Sequence, residues 1–383
     1  MEQLILTGAR IFDGESFHDN RALVVEGGQV AAIAPLAALP EAPHLALAGG
    51  VIAPGFVDLQ VNGGGGVMLD GAASPAQIAT ICAAHARLGT AGLLPTLITD
   101  TPAATRTVLA AGVAAVGRVP GFLGLHLEGP HLDPRRAGAH DPALIRPMTQ
   151  DDIELYCEAR AGLPALIITL APAAASPEQI ATLVRAGILV SLGHAECSFE
   201  EAHAAERAGA TMVTHLFNAM SPLQSRAPGL AGAALALPLD AGLIADGLHV
   251  HPETLRIALA AKREGRAFLV SDAMACAGTE MAEFTLGGRR ISRREGALRL
   301  DSGTLAGADL SLAQAVRVMI ENVGVAPERA LAMAGRIPAE IIGASAGRLV
   351  PGGRADFVHL NDDGSLAASW IGGAVVQANS PTA

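Results

Sequence analysis

Aromatic residues make up only 3% of this 383-residue chain: one Trp, one Tyr and nine Phe. Alanine, leucine, valine and glycine must therefore fill its core. Charge is sparse too, at 16%, while half of the residues are apolar, which excludes a disordered chain and predicts a globular one. Basic residues are the scarcer sign, 26 against 37 acidic, for a net charge of −11. That balance argues against nucleic acid as a partner, although a few local cations suffice for an anionic small substrate. The four cysteines, Cys82, Cys157, Cys197 and Cys276, have no metal-ligand spacing and read as reduced thiols of a cytosolic protein. No apolar run reaches the ~20 residues of a membrane span, and the first ten residues show no basic-then-apolar leader. The expectation is a soluble, cytoplasmic protein with no membrane partner.

What is present is a long alternation of strand and helix patterns between two β-rich ends. At the N-terminal end Leu4–Leu6, Ala22–Val25 and Val30–Ile33 are strand-like, and at the C-terminal end Asp356–Leu360, Ala367–Ile371 and Ala374–Gln377. Neither end carries enough apolar surface to fold alone. The two are expected to join as a small β-sandwich domain, 1–53 plus 347–383, with the catalytic part, 54–346, inserted between them. That middle part holds eight strand candidates: Gly55–Asn62, Gly92–Thr99, Phe122–Glu128, Ala165–Leu170, Ile188–His194, Met212–Asn218, Gly242–Asp246 and Phe268–Asp272. Ser74-Pro75 and Ser176-Pro177 open helices between them, with serine at the cap and proline at the first helical position. The fold class is α/β, and eight such units predict a (β/α)8 TIM-type barrel. A doubly wound open sheet is the alternative. It ordinarily announces itself with a Gly-x-Gly-x-x-Gly or a Gly-Lys-Ser/Thr phosphate loop, and neither is present; the Gly63–Gly66 run reads as a flexible loop.

In a barrel, catalytic groups gather at the C-terminal ends of strands. Polar residues sit at those ends here: Asp58, Gln60 and Asn62; Glu128; His194; His215 and Asn218; Asp246 and His249; Asp272. Glu128 closes an otherwise apolar strand, Phe-Leu-Gly-Leu-His-Leu-Glu, before a Gly-Pro corner. An unpaired carboxylate there is costly unless it meets a metal, a cation or a proton. One carboxylate and two imidazoles suit zinc or another divalent ion with a position left open for water, and Glu128, His194 and His215 are assigned to it. Asp272 is placed as the general base that takes a proton from water and passes it to a leaving group, or else as a cap at a strand–loop junction. His18, His44, His85, His203 and His359 read as structural or surface residues. His131, His140 and His251 lie near the site in sequence and stay open.

Several stretches resemble the N-acetylglucosamine-6-phosphate deacetylase family of the amidohydrolase superfamily. They are Pro54–Gly63, His126-Leu127-Glu128-Gly129-Pro130, Gly193-His194-Ala195, Thr214-His215-Leu216-Phe217-Asn218-Ala219-Met220, Ile244–His249 and Val270-Ser271-Asp272-Ala273, in order along nearly the whole chain. The resemblance implies hydrolysis of the acetamide of N-acetylglucosamine 6-phosphate to glucosamine 6-phosphate and acetate. It makes Glu128, His194 and His215 metal ligands and Asp272 the catalytic aspartate. It implies substrate contacts from Ala139, His140, Asn218, Ala219 and His249, a phosphate contact from Arg226, a closing loop at Leu305, Ala306 and Gly307, and a homodimer. Many superfamily members carry His-x-His after the first strand. Here the pair is Gln60 and Asn62, which implies supporting roles beside one divalent ion per chain, most simply Zn2+. The alternatives are the galactosamine epimer as substrate, another amide hydrolase of the superfamily, or a sugar-phosphate sensor without catalysis.

Overall fold

Eight short strands with apolar side chains on both faces lie side by side: Phe56–Val61, Thr90–Ile98, Leu125–Glu128, Leu166–Leu170, Leu189–Leu192, Met212–Val213, Asp240–Leu243 and Ala267–Leu269. Each pairs in parallel with the next in chain order, and a parallel bridge between Val61 and Ala273 joins the last strand's extension to the first. Strands such as Leu166–Leu170, buried at every residue, belong in a parallel sheet covered by helices. This is the expected (β/α)8 barrel. It comes from a computed structural model, which describes residues 3–39 and 44–378.

Helices follow the strands where capping chemistry starts them. Ser74 Oγ accepts the Gln77 N–H ahead of Pro75–Arg87, and Ser176 with Gln179 forms a reciprocal capping box ahead of Pro177–Arg185, as the sequence predicts. The strand bounds differ from expectation, most at the third and sixth strands. The third starts at Leu125 rather than Phe122, because Gly124 sits at φ 144° against the neighbouring strand: a Cβ there would lie 2.2 Å from the Ala165 carbonyl oxygen. The sixth stops at Val213 because His215, Phe217 and Ala219 take left-handed backbone (φ 32°, 77° and 49°), which no strand accommodates. The Gly63–Gly66 run is no loose loop. Gly63–Gly64 pairs with Val67–Met68 in a small hairpin, and a Cβ on Gly64 would fall 2.9 Å from the His85 ring.

After the eighth strand the chain makes a four-stranded antiparallel sheet, Glu283–Leu286, Arg289–Arg294, Ala297–Leu300 and Leu305–Ala308. The sequence reading has no place for it. The two chain ends build a separate small domain of two sheets. Val51–Pro54 from the N-terminal part pairs antiparallel with Phe357–Leu360 from the C-terminal part. Leu6, Leu23, Val25, Ile52, Phe357 and Trp370 form its core. The parts of the expected domain at residues 1–2, 40–43 and 379–383 lie outside the described residues.

Candidate metal and catalytic site

Glu128 ends the third strand, His194 and His215 lie two residues beyond the fifth and sixth, and Asp272 follows the eighth. The barrel therefore brings all four to one mouth, where all are buried, between 2% and 8% exposed. Glu128 Oε1 is 3.2 Å from His194 Nε2 and 3.0 Å from His215 Nε2, and the two Nε2 atoms are 3.0 Å apart. His194, His215 and Asp272 hold left-handed backbone, at φ 45°, 32° and 50°. That costs non-glycine residues on the order of 1 kcal/mol each, a cost the surrounding barrel sustains.

The donor set fits a divalent cation. His194 Nδ1 lies 2.8 Å from the Arg136 carbonyl oxygen. A carbonyl only accepts, so Nδ1 carries the hydrogen and the neutral ring offers its Nε2 lone pair inward. Two ring nitrogens 3.0 Å apart can share only one hydrogen, and a cation between them and Glu128 satisfies all three. Burial opposes the charge on Glu128, but contacts from His194 and His215 outweigh it and hold the carboxyl well below its ordinary range. These three side chains are the one cluster of metal-ligand type found among the described residues.

Gln60 and Asn62 face the carboxylates as donors. Asn62 Nδ2 lies 2.7 Å from Asp272 Oδ1, and Gln60 Nε2 bridges Asp272 Oδ1 at 3.2 Å and Glu128 Oε1 at 3.0 Å. Burial first, and the Glu128 charge second, push the Asp272 carboxyl up to about 6. A carboxyl with that balance both takes and returns a proton near neutral pH.

His140 is the one of the three open histidines that reaches this mouth. Its Nδ1 accepts from the Thr99 backbone N–H at 3.2 Å and the Thr99 hydroxyl at 2.8 Å, so Nε2 carries the hydrogen, 3.8 Å from Glu128 Oε2. Burial pushes its pKa down to about 3, and the ring is neutral. His131 instead packs inward on the Tyr156 hydroxyl at 2.9 Å, and His251 caps Pro252–Ala261. His249 Nδ1 is held 2.6 Å from Asp246 Oδ2.

A cavity of about 390 Å³ opens above the cluster. Ala139, His140, Asn218, Ala219, His249, Leu305 and Gly307 all line it, with Asn62 and the four central residues. Two of the expected contacts stand apart. Ala306 is fully buried in the apolar core of the antiparallel sheet, among Phe284, Leu286 and Ile291, because alternate residues of a strand face opposite ways. Arg226 is exposed and opens onto a separate depression of about 350 Å³ shared with Glu196 and Gln224. Sequence reasoning misses Arg135, Arg136, Leu286 and Thr304 in the cavity wall. The Arg-Arg pair just beyond the Leu-Glu-Gly-Pro corner was a usable signal. It also misses His126, which lies fully buried with Nε2 2.7 Å from Thr169 Oγ1.

Residues 51–376 match the amidohydrolase family. The chain is 38% identical to an N-acetylgalactosamine-6-phosphate deacetylase of Shewanella sp. (strain ANA-3), over 97% of this chain and 95% of that one. It is similar to the crystal structure of an N-acetylglucosamine-6-phosphate deacetylase from Pasteurella multocida, with a TM-score of 0.93 and 30% identity, over 99% of this chain and 100% of the other. A Mycobacterium smegmatis deacetylase, solved as an aspartate-to-alanine variant with N-acetyl-D-glucosamine-6-phosphate, gives a TM-score of 0.89 at 30% identity, covering 98% and 100%. With its barrel, its buried Glu-His-His cluster and a match over most of its length, the chain belongs to the amidohydrolase family.

Proposed function

We propose that the protein is a metal-dependent deacetylase that hydrolyses N-acetylglucosamine 6-phosphate to glucosamine 6-phosphate and acetate. The observation that carries this reading is the convergence of Glu128, His194 and His215 beneath Asp272 at the floor of one cavity. Glu128, His194 and His215 hold one divalent ion, zinc by the chemistry of the donors. Bound there, such an ion makes water acidic and polarises an amide carbonyl.

The chain's own residues do the rest. Asp272 takes a proton from water and returns it to the departing amine nitrogen, while the Gln60 and Asn62 amides fix its carboxylate. These amides donate toward both carboxylates, which supports a single ion rather than a pair. His140, as its Nε2–H tautomer, and His249, anchored by Asp246, contact the sugar with Asn218 and Ala219. Leu305 and Gly307 close over it, and Ala306 serves only to pack the wall. Arg226 meets the phosphate where a second copy of the chain brings it to a neighbouring cavity, so the working form is a cytoplasmic homodimer. Residues 54–346 form the catalytic barrel, and 1–53 with 347–383 the small domain. No helix among the described residues is long and apolar enough to cross a membrane.

A second reading, N-acetylgalactosamine 6-phosphate as the preferred substrate, is favoured by the 38% identity to the Shewanella relative. An acetate-release assay on both phosphorylated sugars, with and without chelator, tests the proposal. Release that a chelator abolishes and a divalent ion restores is expected; no release from either sugar by metal-loaded protein defeats it.

A further inference from the structure

We infer that Arg136 is a cation within the same chain that holds the substrate's 6-phosphate, and that Glu196 aims it; this rests on the deacetylase reading above. A dianionic substrate approaching a chain of net charge −11 needs local positive charge at the cavity. Arg135 and Arg136 are among the residues that line the cavity, and the surroundings of their guanidinium groups differ.

Arg135 is already neutralised. Its Nε lies 3.0 and 3.2 Å from the two Asp133 carboxylate oxygens, and its Nη2 lies 2.6 Å from Asp133 Oδ2 and 3.0 Å from the Glu196 carbonyl oxygen. Its side chain is 64% exposed. Arg136 makes one side-chain hydrogen bond among the described residues, from Nε to Glu196 Oε2. Among the described residues its two terminal nitrogens make no hydrogen bond. A guanidinium held at Nε and open at its fork is arranged for two-point capture of a phosphate.

The backbone beneath this side chain is fixed as well. The Arg136 carbonyl takes the His194 Nδ1 hydrogen at 2.8 Å, so the residue that reaches for the phosphate also orients an imidazole of the metal cluster. The reacting acetamide and the distant phosphate are thereby measured from one point of the chain. Binding energy from that unreactive group can then position the amide.

The test pairs two measurements. In acetate release, R136A is expected to lower kcat/KM for N-acetylglucosamine 6-phosphate about 30-fold, mainly through KM, as loss of a charge-assisted contact implies. Unphosphorylated N-acetylglucosamine should change by less than about 3-fold, R136K should recover part of the loss, and R135A should stay within about 3-fold of wild type. E196A, which leaves the guanidinium unaimed, should mimic R136A weakly, and E196Q, which keeps an acceptor for Nε, should restore it. Equal losses by R136A on both sugars overturn the assignment. Calorimetric binding of glucosamine 6-phosphate against glucosamine needs no turnover and keeps the two ideas apart. Wild type without acetate release removes the deacetylase reading; R136A that binds glucosamine 6-phosphate as tightly as wild type removes the role of Arg136.

Discussion

In the small domain, Phe357 stacks on Trp370 with ring centroids 4.7 Å apart, in a core of apolar side chains. At the barrel mouth, Glu128, His194, His215 and Asp272 are buried almost as deeply, yet they are ionisable, crowded and, for three of the four, on left-handed backbone. Burial in the first place removes apolar surface from water and stabilises the fold. Burial in the second lowers the dielectric around ionisable groups to which the proposed function gives proton exchange and a cation. Substitutions in the two regions should therefore be read by different instruments.

The largest expected effect is at the mouth. D272N keeps the size of the side chain and should retain the metal, but should lose about 10³-fold in kcat. Metal analysis alongside turnover checks both halves, and near-normal turnover breaks the contrast at its functional pole. W370A should do the reverse. It should cost about 3–5 kcal/mol of stability, as for a buried Trp reduced to Ala, measured by denaturant unfolding. At temperatures where the variant is folded, kcat should be near wild type.

Between the poles lies His85, which is buried, donates from Nε2 to the Gly63 carbonyl at 2.9 Å and takes no part in the proposed chemistry. Burial pushes its pKa down to about 4. Because the folded value lies below the unfolded one, its neutral form favours the fold fully above about pH 6.5, and that contribution is lost as pH falls toward 4. The shift corresponds to roughly 3 kcal/mol at most. Unfolding series between pH 4 and 7 should show this slope, and H85Q should flatten it. The smallest effect is at the surface: S74A should cost about 1 kcal/mol by removing the cap of Pro75–Arg87, with no change in kcat.

The features legible in the sequence were those set by local rules. Ser74-Pro75 and Ser176-Pro177 announce helix starts because capping acts within one turn. The mouth was legible because strand-end position and side-chain type coincide at Glu128, His194, His215 and Asp272. What escaped depends on distant contacts. Gly63–Gly66 looked flexible because its hairpin is fixed by the His85 ring, which is remote in sequence. The antiparallel sheet was hidden because four of the six residues of Arg289–Arg294 are arginine and the strand's buried Ile291 stands alone among polar neighbours. Ala306 lay in the right loop, but its orientation follows from strand register. Arg136 stands out only once Glu196 is seen to hold it while leaving its fork free.

The pairing of Val51–Pro54 with Phe357–Leu360 has a consequence for biosynthesis. On the ribosome, the strand near the start of the chain emerges long before its neighbour exists. The barrel, whose parallel pairs all join consecutive strands, can close in the interval, since sequential elements come together first. The small domain must then assemble from two ends that the finished barrel holds near each other, which shortens the effective loop between them. The barrel thus acts as the template on which the later strands, such as Phe357–Leu360, find their early partner.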